Sequence, residues 1–554
     1  MPTIEINKKD FEKLIKRRFN MEKLSSIMNY VKGELEFENK KEDNLKLELK
    51  DVNRPDLWSV EGVVRELKHR LGIKKGLIKY SVQKPEKNHL IKVSPKVRKV
   101  RPVSVGAIVR NLKLNEEALK QLIQLQEKLC INFGLKRKEA ALGVYDFDKI
   151  KWPINYTTFR DNEIKFVPLG FSYKMSPSEI IEKHEKGMEY GKLVEGKDYP
   201  ILIDSEKNVL SMPPIINSDY SGKVTKETRN VFVEVSGFDL RFVLPVLNIF
   251  ICALIERGGE VEQVLSTGPK RIATPNLESK EILININEIN KILGISLTEK
   301  EIFNLLEKSG FDYIKDKNGI LIKYPCYRYD ILDSRDVIED IAISYGFNNF
   351  KPEKFKESTF GCNSKFTEFK YKVKEMMIGL ESQEIATFVL TEKDKLFKTM
   401  RLKNLDVIEI ANPVSLNYSC LRNWLLPSLM EFLGKNKDVE YPQKIFEIGE
   451  CIEVEKDSFK NLSKLAYVYS GKDVNFTIIK QQLDYLLRSL KINYKTKKLE
   501  HASFISGRCG EVIIKKENRE ISIGFLGEIH PAILEKFNLI MPTVAFEINL
   551  NKLV

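Results

Sequence analysis

Pro325-Cys326-Tyr327-Arg328-Tyr329-Asp330-Ile331-Leu332-Asp333-Ser334-Arg335-Asp336-Val337-Ile338-Glu339-Asp340 is the stretch on which the reading of this chain turns. At about 100° per residue, Asp336, Glu339 and Asp340 share one helical face, with Val337, Ile338, Ile341, Ala342 and Tyr345 on the opposite arc. The spacing predicts a helix from about Ser334 to Tyr345, stopped by Gly346. Asp330 lies just ahead of it and can fold back toward the acidic edge. Four converging carboxylates with no lysine in reach would raise one another's pKa unless a cation lay among them. Oxygen-only ligands with room for water suit Mg²⁺ better than Zn²⁺. The competing reading is a solvated first turn whose acids complement the helix dipole, and the pattern alone favours it.

Upstream, Thr298-x-x-Glu301 is a capping box followed by the apolar stripe Ile302, Leu305 and Leu306, with Gly310 as C-cap. Asn318-Gly319 separates two short strand signals, 311–314 and 320–324, as a hairpin turn does. Helices, hairpin and final helix together predict a small winged-helix-like module at 271–350. Before it, 1–82 reads as an N-terminal α/β domain and 83–270 as a mixed α/β domain. After it, 351–554 reads as a larger α+β unit dense in alternating strands. The fold class expected is therefore α+β, multidomain.

The 554 residues carry 91 Lys+Arg against 78 Asp+Glu, a formal charge of +13, with 42% hydrophobic and 31% charged residues. That excludes wholesale disorder and favours a polyanionic partner such as nucleic acid. The longest apolar run, 242–255, contains Pro245 and Asn248 and falls short of the ~20 residues a membrane span needs. The charged N-terminus has no signal-peptide core. Seven scattered cysteines without a CxxC, and five histidines without an HExxH, indicate neither a disulfide framework nor a zinc site. A cytoplasmic protein without membrane attachment is expected. Lys96-Val97-Arg98-Lys99-Val100-Arg101-Pro102 alternates in part, predicting a charged edge strand that could contact phosphate.

Other motifs exclude more than they offer. Lys174-Met175-Ser176-Pro177-Ser178 is similar to the ATP-binding loop of class I synthetases, but Pro177 replaces the second lysine and no partner motif precedes it; it reads as a loop and helix N-cap. Neither GxxxxGK[ST] nor a strand-borne GxGxxG occurs. From Tyr199 to Asn217, paired prolines beside small hydroxyl residues predict a rigid loop bordering a pocket.

Several blocks occur together and in order. They are Asn53-Arg54-Pro55-Asp56-Leu57 with Ser59 and Gly62; Tyr199 to Asn217; and Tyr327-Arg328-Tyr329-Asp330-Ile331 running on to Glu339-Asp340-Ile341-Ala342 and Tyr345-Gly346. The last unit adds Asn412-Pro413, Leu421-Arg422, Ile445-Phe446-Glu447-Ile448-Gly449 and Gly527-Glu528-Ile529-His530-Pro531. With these the chain resembles the family of phenylalanyl-tRNA synthetase β subunits, of the shorter archaeal and eukaryotic type.

The resemblance implies an α₂β₂ ligase joining phenylalanine to tRNA(Phe), with ATP bound and used in the α subunit. It implies that Asp330, Asp336, Glu339 and Asp340 hold Mg²⁺. It also implies that 83–270 is an editing domain hydrolysing mischarged tyrosyl-tRNA, with Leu202, Ser211, Glu234 and Ser236 in its pocket. Glu234 and Ser236 stand where the family has a shorter Asp and a Thr, which keeps the functional groups but alters their reach. The last unit is similar to a class II synthetase catalytic fold. Its Arg422 is followed by Asn423-Trp424 rather than an acidic partner, and Gly524-Phe525-Leu526-Gly527-Glu528 lacks an arginine to grip ATP. It is therefore expected to make no aminoacyl-adenylate. The length leaves no room for the extra oligonucleotide-binding and anticodon-binding domains of the longer bacterial type. Two other functions fit the composition: a non-catalytic nucleic-acid-binding scaffold, and a stand-alone hydrolase of mischarged tRNA.

Overall fold

The computed structural model describes every residue except 1, 37–43, 195, 197, 269, 318, 355–358, 457 and 518. It divides into two compact units, Met1–Glu353 and Lys354–Val554, and the whole is a mixed α+β multidomain architecture, as expected.

In the first unit, strand Thr3–Asn7 pairs with Asn44–Leu49, which pairs in turn with Gly33–Glu36. Alternation buries Leu45, Leu47 and Leu49 on one face. Ser59 caps helix Val60–Arg70, its hydroxyl accepting from the Gly62 amide at 3.1 Å. At Gly62 a Cβ would lie 1.8 Å from the Asp56 carbonyl, so the turn ahead of the helix packs against its first turn only with glycine there. Every residue of this helix except Lys68 is buried, including Glu61, Arg65, Glu66 and Arg70. Such a helix must find charged partners inside the protein.

The centre of this unit is a mixed sheet in which strand Val231–Gly237 lies between Val103–Arg110 and Ala140–Asp146. The long apolar run forms helix Leu240–Glu256 against it, buried from Val243 to Leu254 except at Leu244. Among the described residues no helix is long and apolar enough to cross a membrane. The basic run does not form the expected edge strand. Ser94 and Pro95 start a 3₁₀ turn, Pro95–Lys99, anchored by buried Val97, and Arg101 is 1% exposed. Proline at the first position pre-sets the turn, and the alternation of valine with charge is incidental to it.

The helices, hairpin and final helix read from 271–350 occur in that order, with an unpredicted strand, Lys280–Ile284, ahead of them. Sheet Lys280–Ile284, Gly319–Tyr324, Asp312–Asp316 is covered by helices Ile286–Leu293, Glu299–Lys308 and Ser334–Tyr345. The capping box at Thr298 and Glu301 is formed. Asn318 of the hairpin turn lies outside the described residues.

In the second unit a seven-stranded sheet of the described residues runs Gln383–Glu384, Gln443–Glu455, Ser458–Ser470, Thr543–Asn549, Arg519–Ile529, Phe504–Lys516, Tyr494–Lys498. It is antiparallel except at its first pair. Successive residues alternate between two cores. Ile445, Ala466 and Ala545 join one with helix Leu426–Lys435; Phe446, Leu465 and Phe546 join the other with helix Phe476–Ser489.

Candidate functional site

A cavity of about 360 Å³ opens beside the central sheet, lined among others by Tyr145, Ser211, Pro214, Glu234 and Ser236. Glu234 sits in the middle of its strand, opposite Gly106 on one side and Gly143 on the other. Two glycines leave the flanks of its side chain open. A Cβ at Gly143 would also meet the Tyr145 hydroxyl at 2.4 Å. Phe232, two residues earlier on the same face, stacks on Tyr145 at 5.6 Å. The Tyr145 hydroxyl donates to Ser211 Oγ at 2.8 Å. Leu202 pairs with Ser211 across the neighbouring strands and is fully buried in the core behind Tyr145 and Phe232. Of the four residues expected here, Ser211, Glu234 and Ser236 line the cavity, whereas Leu202 does not and is buried in the neighbouring core.

Glu234 is 1% exposed and accepts from Ser104 Oγ at 2.8 Å. Burial pushes its carboxyl up to about 8, and the Ser104 hydrogen bond and the Arg101 charge only partly oppose this. At neutral pH it is a neutral acid, able to donate one hydrogen bond and accept others. Arg101, the nearby cation, spends its guanidinium elsewhere. Its Nε donates to Ser236 Oγ at 3.0 Å and Nη2 to the Ser236 carbonyl at 2.6 Å, while the Arg137 and Lys138 carbonyls each accept at 3.1 Å. Those carbonyls belong to a turn in which Leu135, Lys136 and Arg137 all have positive φ, 50°, 54° and 65°. Three consecutive non-glycine residues in that region store strain. The turn aims Arg137 over the Tyr190 ring at 4.3 Å and lets its Nη1 donate to the Pro214 and Ile215 carbonyls at 3.0 and 2.8 Å. Arg101 thus braces the floor of the cavity and Arg137 its proline wall. Charge patterning placed Arg101 on an edge strand facing phosphate and did not single out Arg137.

The four acids expected to gather round Mg²⁺ are not gathered on one point. Both oxygens of Asp330 accept from Arg328, at 2.9 and 2.7 Å. Asp340 receives Arg328 at 2.6 Å on one oxygen and Arg70 on the other. Asp336 closes a capping box and accepts the Leu332 and Asp333 amides at 2.8 Å. Glu339, half exposed, pairs with Lys32 at 2.5 Å. The expectation that no lysine reaches these acids is corrected at Glu339, which pairs with Lys32, and arginines reach Asp330 and Asp340. The residues as arranged do not fit a divalent ion bound by all four. Among the described residues, three metal-competent groups come together only at Glu86, His89 and Glu262, and there Arg110 already donates to Glu262 at 2.9 Å.

In the second unit Arg422 is 1% exposed and each of its guanidinium nitrogens donates within the unit: Nε to the Glu450 carbonyl at 3.0 Å, Nη1 to Thr387 at 2.6 Å, Nη2 to Glu447 at 2.7 Å. Trp424, His501 and Phe525 pack together beyond it.

Three family models match. The B3/4 domain matches residues 97–244, the tRNA synthetase B5 domain 282–347, and the phenylalanyl tRNA synthetase beta chain CLM domain 355–550. The phenylalanine–tRNA ligase beta subunit of Pyrococcus furiosus is 46% identical over 561 residues, spanning 100% of both chains. That of Methanococcus maripaludis is 37% identical over 568 residues, covering 99% of this chain and 100% of its own. A crystal structure of an N-terminal fragment of the phenylalanyl-tRNA synthetase beta subunit from Pyrococcus horikoshii is 45% identical. It superposes with a TM-score of 0.60, covering 62% of this chain and 100% of the fragment.

Proposed function

Because the chain belongs to the family of phenylalanine–tRNA ligase β subunits, we propose that it works with an α subunit, as an α₂β₂ complex, to join phenylalanine to tRNA(Phe), and that its own cavity hydrolyses mischarged tyrosyl-tRNA. In this reading ATP and phenylalanine are bound and activated by α. The residues matched by the B3/4 model, within an editing domain at 83–270, carry the hydrolytic site. The module at 271–350 and the unit at 351–554 supply tRNA and subunit contacts. Arg422 supports the last point: all three of its guanidinium nitrogens bond within the unit, to Glu450, Thr387 and Glu447, and the residue is 1% exposed, so it is turned inward rather than offered to a triphosphate.

The observation that carries the hydrolytic reading is a buried Glu234 lining a largely apolar cavity, and burial pushes its carboxyl up to about 8. A synthetic pocket made for phenylalanine rejects an added hydroxyl poorly, so a second, hydrolytic sieve is useful. The sieve must welcome the phenol. A protonated Glu234 can donate to the phenol oxygen or accept its proton in a hydrogen bond, with Ser104 holding the other carboxyl oxygen. At neutral pH it is a poor general base, which favours phenol recognition over proton abstraction. Ser211 and Ser236 add polar lining. Water attacks the ester carbonyl carbon, the bond to the ribose oxygen breaks, and tyrosine and tRNA leave. Mg²⁺ enters no step of this hydrolysis: Asp330, Asp340 and Glu339 are engaged by Arg328, Arg70 and Lys32, and Asp336 by two backbone amides.

Contacts to tRNA phosphate fall to the exposed Lys96, Arg98 and Lys99, without Arg101, which is inside the protein. Two experiments test the reading. Phenylalanine should be charged by the mixture of α and this chain but by neither alone. In that complex Glu234→Ala should abolish tyrosyl-tRNA hydrolysis and leave phenylalanine charging intact; unchanged hydrolysis refutes the assignment.

A further inference from the structure

The acids beside helix Ser334–Tyr345 belong to a larger construction that joins two of the sequence blocks. Arg54 chelates Asp56 through Nε and Nη2, both at 2.9 Å, and its Nη2 also reaches Glu66 at 3.1 Å. Glu66 accepts from Arg70 at 2.8 Å. Arg70 pairs with Asp340, Asp340 with Arg328 at 2.6 Å, and Arg328 with Asp330. Asp330 lies 3.9 Å from the Nε of Arg54, which closes the circuit. Three guanidiniums alternate with three carboxylates round the ring, Asp56 hangs from Arg54 as a fourth carboxylate, and every one of these side chains is no more than 6% exposed.

We propose that this ring replaces a divalent cation: three arginines neutralise Asp330 and Asp340, and they clasp helix Val60–Arg70 to helix Ser334–Tyr345 without metal. Each oxygen of Asp330 and Asp340 already accepts from a guanidinium. A Mg²⁺ bound at the usual ~2.1 Å would have to displace those donors and then sit beside fixed positive charge. Guanidinium suits the role because its planar fork bridges two carboxylates while keeping direction. Arg70 adds neutral contacts across the same junction, to Ser309 at 2.9 Å, the Asp340 carbonyl at 2.8 Å and Ser344 at 2.5 Å. This inference does not depend on the hydrolytic role of the cavity.

The test uses the full chain, stripped with EDTA and titrated with Mg²⁺, with thermal unfolding and direct Mn²⁺ binding as readouts. The unfolding midpoint is expected to be the same in EDTA and in millimolar Mg²⁺. In Arg328→Met it should fall by several degrees and should rise again with Mg²⁺, because Asp330 and Asp340 then lack their shared counter-charge. A wild-type midpoint that rises with Mg²⁺ and loses that response in Asp340→Asn overturns the proposal. So does one-to-one Mn²⁺ binding that Asp340→Asn abolishes. Should Arg328→Met not fold, the wild-type comparison decides alone.

Discussion

Glu66 and Glu234 are both closed off from water, 5% and 1% exposed, yet their carboxyls are driven in opposite directions. Burial raises each of them. At Glu66 the charges of Arg70, Arg54 and Arg328 overturn it and hold the group well below the usual carboxylate range. At Glu234 the Ser104 and Ser236 hydroxyls and the Arg101 charge do not suffice, and the group stays up at about 8. The arginines show the same contrast. Arg54 and Arg328, facing carboxylates, are held far above their ordinary value, whereas burial lowers Arg101, whose donors go to carbonyls and a serine. One region spends its charges on each other and becomes a clasp. The other leaves a neutral acid facing a cavity, where a ligand can use it.

The comparison breaks most visibly if the ring is opened. Arg70→Met leaves Glu66 and Asp340 buried without their shared cation, and removing one partner of such a pair costs about 3–5 kcal/mol. Denaturant unfolding of the full chain should show that loss, and one below about 1 kcal/mol would mean the ring behaves as a surface pair. The next effect is pH-dependent. Glu234 has a folded pKa of about 8 against an ordinary 4.5, so the folded protein binds the extra proton between those values. Its contribution is present below about 4.5 and is lost as pH rises through about 8. The loss is on the order of a few kcal/mol. Glu234→Gln should flatten that slope, and a slope identical to wild type would place the titration elsewhere.

Smaller changes sharpen the contrast. Ser211→Ala removes the acceptor of the buried Tyr145 hydroxyl and should cost about 1–3 kcal/mol, the price of an unsatisfied polar group; denaturant midpoints measure it. Glu339→Gln touches only the half-exposed pair with Lys32 and should change stability by less than about 1 kcal/mol. A loss as large as that of Arg70→Met would draw Glu339 into the ring.

Much of the architecture was legible from local pattern. The helix Ser334–Tyr345, the box at Thr298 and Glu301, and the strand ending at Gly237 appear where periodicity and caps put them. The basic run at 96–102 misled, because alternation of charge with valine also fits a short turn with one anchored side chain. Arg101 read as one more surface cation. Nothing local distinguishes an arginine that meets solvent from one that meets three backbone carbonyls inside the fold.

The acidic face of 330–340 was read with the right residues and an incomplete environment. Its spacing is a property of one helix, but the guanidiniums that engage it include Arg54 and Arg70, some 260 to 290 positions earlier. Helix periods and caps are set by neighbours along the chain, so composition and order determine them, whereas Gly106 and Gly143 come beside Glu234 only when three separate strands pair. Whether a carboxylate meets metal, water or arginine depends on which distant segments fold against it, and electrostatics acts through space rather than along the backbone. That choice belonged to the tertiary structure.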